Sequence, residues 1–299
     1  MGCFGRLGYR YLVSFDKSKI INSEFVSSAP PEFLFICGAI SQYLGAALAY
    51  SLFDDIGTPL VATLRVIGAA IILFLLRRIW KRSMEELDLA WTALFGIVLA
   101  GMNLCFYLAI DNLPLGNAVA IEFLGPIAVA VLGNRSFKNL ASLAIASLGV
   151  LFLAQVTSEG SLTGVLLALA AGALWALYII LGSRVARSGA HLDGLGVGML
   201  IGGLVISPTA LASIGNVFEH PVLILVALST GILGNVIPYG IDQVALQRIT
   251  KARFAFLQAL LPATASCVGF IALQQRATIK EVVGIGMIIF AILLRGKET

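Results

Sequence analysis

The stretch from Leu113 to Gly133, LPLGNAVAIEFLGPIAVAVLG, decides how this chain is built. Its roughly 20 mostly apolar residues, at 1.5 Å rise each, match the thickness of a bilayer's hydrocarbon core. Inside it stand one carboxylate, Glu122, and, past the Pro114 at its start, one interior proline, Pro126. A weaker copy, ITKARFAFLQALLPATASCVG, lies at an offset of 136 and sets Gln258 on Glu122 and Pro262 on Pro126. Proline has no N–H for the carbonyl four residues back. In both copies that carbonyl belongs to the polar residue. A freed backbone acceptor thus sits beside a polar side chain at membrane depth, which is stable only against protein or a watery cavity.

The rest of the chain agrees with a membrane setting. Its 299 residues are 59% hydrophobic and only 12% charged, where soluble domains carry about 25% charged residues. Mean hydropathy is +0.97. The partner this composition demands is the lipid bilayer. A net charge of +4 is no sign of nucleic acid here, because the basic residues lie between apolar spans. Cys3, Cys37, Cys105 and Cys267 have no metal-ligand spacing, and three of them sit in apolar runs. No metal or cofactor is expected, and with no P-loop motif ATP is not the direct drive.

Residues 1–31 read as a polar cytoplasmic tail. Ten apolar spans follow, near 33–53, 58–76, 90–110, 115–133, 139–155, 162–183, 194–213, 222–246, 252–274 and 279–295. All of the 20 basic residues except Arg65, Arg276 and Lys280 fall on the tail's side of the resulting loops. The positive-inside rule then places both termini in the cytoplasm of a plasma (bacterial inner) membrane. Gly38-Ala39 falls on Gly172-Ala173, and Gly68 on Gly202, at an offset of 134. Each half, 32–156 and 157–299, therefore holds five spans. An odd number inverts the second half, an arrangement that puts a site near the midplane between halves. The expected fold is an all-α polytopic membrane protein, ten transmembrane helices in two inverted five-helix repeats.

These features resemble a known family. The LPLGNAVAIEFLGPIAVAV run, the GALWALYIILGSR run of span six and the five-plus-five pattern are similar to the EamA-type branch of the drug/metabolite transporter superfamily. The likeness is nearest to its threonine/homoserine-exporter group and is clearest in the first half. It implies a ten-helix inner-membrane exporter of small metabolites, often amino acids. The second half departs from it with Gln258 for an acid and Met199 opposite Arg65.

An ionisable group inside a span costs several kcal/mol unless it is paired or hydrated. Glu122 and Arg65 each sit seven residues into a span entering from outside, about 10 Å deep. They read either as a fixed structural pair or as binding groups, Glu122 for an amino group or a proton and Arg65 for a carboxylate. Asn103 and Tyr107 are four apart on span three, as are Tyr239 and Gln243 on span eight, after Pro238. Each pair shares a helix face and reads as interhelical hydrogen bonding or as cavity lining. Trp175 and Tyr178 on span six are packing aromatics or a binding wall, and Gln42 is a weaker candidate. Asp242 is placed at the interface, outside the binding set. Gly194, Gly198 and Gly202 repeat every four residues and suit close helix approach.

The function expected is a secondary transporter exporting amino acids or analogues by alternating access, with proton coupling as an option. The substrate would sit near Glu122, Gln258 and Arg65. The chain acts alone or as a homodimer. An intramembrane enzyme is the rival class, but His191 and His220 fall in loops on opposite sides and cannot share a site. A passive pore is the other rival.

Overall fold

A computed structural model describes residues 31–81, 87–133, 136–156, 161–187, 191–215, 221–251, 254, 258, 261–274 and 278–294. The tail at 1–30, Arg82, Arg135, His220, Arg276 and most of 252–260 lie outside the described residues, as does the side chain of Pro262. All regular structure among the described residues is helical. The helices are α1 (Pro31–Tyr50), α2 (Thr58–Arg77), α3 (Leu89–Ile110), α4 (Leu115–Glu122), α5 (Leu124–Gly133) and α6 (Phe137–Val156). They continue with α7 (Leu162–Ala186), α8 (His191–Ile206), α9 (Pro221–Gly231), α10 (Ile237–Arg248), α11 (Leu261–Ala272) and α12 (Ile279–Leu294).

Helix ends follow local chemistry. Asp88 caps α3, its side chain accepting from the Trp91 N–H at 3.4 Å, and Ser161 caps α7 by accepting from the Gly164 N–H at 3.3 Å. Pro59 begins α2, where a missing N–H costs nothing. Within the sequence's fourth span, α4 stops at Glu122 and α5 restarts at Leu124, before Pro126. Between α9 and α10 the five residues Ile232–Val236 form a π-helical turn, just ahead of Pro238.

Six of these helical segments among the described residues are long and apolar enough to cross a membrane: Phe33–Tyr50, Thr58–Arg77, Leu89–Ile110, Leu162–Ala186, Leu192–Ser213 and Pro221–Arg248. Their outer faces are apolar. On α1, Ile36, Ile40, Leu44 and Leu48 form an exposed stripe every four residues, while Phe35, Ala39, Tyr43 and Ala46 are buried. A helix in water would hide the first set; in lipid it is the natural outer face. This is a multi-pass membrane protein.

Packing joins distant parts of the chain. α3 packs on α7 and α8, while α1 packs on α10 and α9 packs on α2. α4 packs on α11, α6 on α12 and α2 on α8. Small residues set the closest crossings: Gly198 and Gly202 stand against the backbone at Gly96, where an added Cβ on Gly202 would overlap the Gly96 carbonyl. At one set of helix ends charges join the two halves. Arg77 Nε donates to Asp193 Oδ1 at 2.9 Å, and Arg184 lies 3.7 Å from Asp88 with its guanidinium 4.2 Å from the Trp91 ring centre.

Candidate functional site

The helices α1, α2, α3, α4, α7 and α10 line, with Gln258, one narrow cavity. Glu122, Arg65, Gln258, Asn103, Trp175 and Tyr239, all expected from sequence, line it together with Gln42. Tyr107, Tyr178 and Gln243 do not; they are buried behind its wall. Met102, Phe106 and Asp242 also line it and were missed. The two aromatic and sulfur-bearing side chains gave no periodic signal apart from packing. Asp242 did give one, a carboxylate in an apolar span, but the reading ended that span too near it.

Glu122 reaches the cavity because the helix breaks there. The Phe123 N–H still bonds the Val119 carbonyl at 3.1 Å, and Pro126 then leaves the Glu122 carbonyl without its helical donor. Gly172 on α7 lies against that carbonyl so closely that a Cβ there would come within 2.5 Å of the oxygen. The freed acceptor is therefore sealed by protein. The Glu122 side chain is 5% exposed and has no hydrogen-bond or ion-pair partner among the described residues. Phe123 meets Trp175 edge to face at 5.5 Å, which fixes one wall.

Arg65 does not pair with Glu122. It braces the π-helical turn instead, donating from Nε to Asn235 Oδ1 and from Nη2 to the Gly234 carbonyl, each at 2.7 Å. The reason is proline chemistry. Pro238 cannot give its missing N–H to Gly234 four residues earlier. The Ile237 N–H goes to Ile232, so the Leu233 carbonyl is left over as well. Ser41 Oγ donates to that one at 2.6 Å. Gly234 must be glycine, since a Cβ there would overlap the guanidinium. Tyr107 lies beneath the guanidinium, 4.8 Å from its ring centre. Arg65 Nη1 alone keeps no partner.

Asn103 and Tyr239 combine both readings made of them. The Asn103 amide donates to the Tyr239 hydroxyl at 2.9 Å across the cavity wall, and both residues line it. Tyr178 donates to Asp242 Oδ2 at 3.1 Å and packs 5.5 Å from Tyr239. Several buried polar atoms around the cavity have no partner: the Tyr43 and Tyr107 hydroxyls, Asn235 Nδ2, Gln258 Oε1 and both amide atoms of Gln243. Native proteins rarely leave such groups unmet unless water or a ligand meets them. No group of three or more metal-ligating side chains occurs among the described residues.

A multi-pass helical protein around a narrow cavity lined by charged side chains is built like a membrane carrier. The chain belongs to the EamA-like transporter family. The family model matches residues 162–295, the second half, rather than the first half where the sequence likeness was clearest. The chain is 36% identical over 250 residues to the threonine/homoserine exporter RhtA of Escherichia coli (strain K12), covering 83% of this chain and 84% of that one. It is 33% identical over 264 residues to the RhtA of Salmonella typhimurium (strain SL1344), covering 87% and 89%. One solved structure superposes with a TM-score of 0.59 at 15% identity, over 87% of this chain and 96% of that one, a likeness of fold alone.

Proposed function

We propose that this protein exports a small zwitterionic metabolite, an amino acid of the threonine/homoserine kind or an analogue, by alternating access from the cytoplasmic side of a plasma membrane. One observation carries the reading: a single cavity is lined by Glu122, whose carboxylate has no partner, and by Arg65, whose buried Nη1 has none. A ligand with an ammonium group and a carboxylate answers both. Asn103, Trp175 and Gln258 would surround its side chain. The kinship to the exporters RhtA supports the substrate class.

Alternating access follows from reading the ten spans as inverted halves. Under that pairing α1 answers to α7, α2 to α8, α3 with α9 and α10, and α4 with α11. The contacts then recur in mates: α3 with α7 answers α10 with α1, and α3 with α8 answers α9 with α2. Asn103 bonds Tyr239, the residue 136 positions on that the repeat makes its mate. Such halves rock about a fixed midplane site. Both termini face the cytoplasm in this arrangement.

The test is counterflow in proteoliposomes loaded with unlabelled amino acids. Labelled threonine or homoserine should accumulate transiently in vesicles holding the wild-type protein. Glu122→Gln should remain monodisperse in detergent and lose that accumulation by at least tenfold. Full counterflow in this variant removes Glu122 from the site; equilibration without transient accumulation in the wild type marks a pore.

A further inference from the structure

Among the described residues that line the cavity, two carry a buried polar atom without a hydrogen-bond partner: Arg65 at Nη1 and Gln258 at Oε1. A zwitterion's carboxylate answers the first, and its ammonium answers Glu122. The second is a neutral acceptor and is suited to a neutral donor. Gln258 is 2% exposed and hydrogen-bonds Asp242. Beside a carboxylate an amide presents its NH2 end, the only end that can donate. Tyr178 donates to the same carboxylate, to Oδ2 at 3.1 Å. Asp242 therefore fixes which way round the amide lies, and Oε1 is the end left over.

A buried acceptor of this kind is met in native proteins by water or by a ligand. Met102 and Phe106, which line the same cavity, have no donor to give it. The Asn103 amide has two N–H donors, and they are spent on the Leu99 carbonyl and the Tyr239 hydroxyl. The repeat offset of 136 sets Gln258 on Glu122, so the two mates stand on one cavity as a neutral and a charged acceptor. A hydroxy amino acid carries the matching pair of donors, its hydroxyl and its ammonium, together with the carboxylate that Arg65 takes. An analogue with a methyl group in place of the hydroxyl leaves Oε1 unmet. A site built to bond a hydroxyl rejects such analogues for that reason.

We propose that Gln258 determines specificity for the substrate's side chain, its Oε1 accepting a hydrogen bond from a side-chain hydroxyl. The carrier then prefers hydroxy amino acids to their methyl isosteres. This assignment rests on the transport reading above and deepens it, and its test separates the two.

The experiment measures how well unlabelled amino acids compete with labelled threonine for counterflow in proteoliposomes. The competitors are isosteric pairs, threonine with valine and homoserine with norvaline. In the wild type the hydroxyl member of each pair should half-inhibit at a concentration about tenfold or more below its partner's. In Gln258→Met, which keeps the length and removes the amide, both ratios should fall close to one, whatever the absolute rate. Gln258→Asn draws the amide back by one methylene; its ratios should fall several-fold, and it stands in should the Met variant fail to fold. An amide that serves structure alone would change the rate and leave the ratios as they are. Ratios near one in the wild type, the result if the ammonium supplies the donor for Gln258, overturn the proposal. So do wild-type ratios in either folded variant. Absence of wild-type counterflow overturns the transport reading itself.

Discussion

Arg65 shows how one side chain can hold together two distant parts of a fold. Its Nε and Nη2 satisfy acceptors on the π-helical turn, and its Nη1 is buried without a partner. Lysine cannot copy this, because a single ammonium lacks the planar fork that serves two acceptors at fixed angles. Arg65→Lys should therefore destabilise the protein, by roughly 1–3 kcal/mol for each buried acceptor left unmet. Thermal unfolding in detergent reads this as a lowered Tm. Gly234→Ala should do the same from the other side, since its Cβ would overlap the guanidinium. An unchanged Tm in both variants means that the brace contributes nothing. Glu122 differs in kind: no described partner depends on it, so its replacement should leave the fold alone.

The informative elements are two helices interrupted at prolines. Pro126 frees the Glu122 carbonyl, which Gly172 of a neighbouring helix seals. Pro238 frees the Gly234 carbonyl, which a side chain from α2 satisfies. The same defect is thus closed once by backbone packing and once by a charge. Pro238→Ala returns an N–H to α10 within reach of the Gly234 carbonyl. The helix should then compete with Arg65 for its own acceptor. Expected is a protein as heat-stable as the wild type, or more so, with counterflow reduced at least tenfold because the guanidinium is no longer fixed. Unaltered counterflow would show that the interrupted helix is incidental to transport. The missing donor was read from the sequence at Pro126 and at Pro262, and the same local rule applies at Pro238. Which group would answer it was not legible there, because that depends on which helix packs alongside.

Across the whole molecule, charged contacts between the halves gather where α2 meets α8 and where α3 meets α7. Arg77 and Asp193 are the closer pair, at 2.9 Å, and both are largely buried. If the halves rock, this contact must open in each cycle. A double variant, Arg77→Cys with Asp193→Cys, joined by a short thiol crosslinker, should stop counterflow and regain it on reduction. Transport that continues in the fully crosslinked protein rules out movement at this contact. The sequence by itself determined the membrane setting, the all-helical class, the family and most of the cavity's polar residues. It could do so because apolar run length, a proline's missing N–H and four-residue spacing are local properties written along the chain. Only the tertiary structure decided that Arg65 turns to Gly234 and Asn235 rather than to Glu122, that Tyr107, Tyr178 and Gln243 stand behind the wall, and that Asp242 lines the cavity. Those outcomes depend on which helices cross and how closely, and a buried charge takes whichever partner the crossing puts within reach.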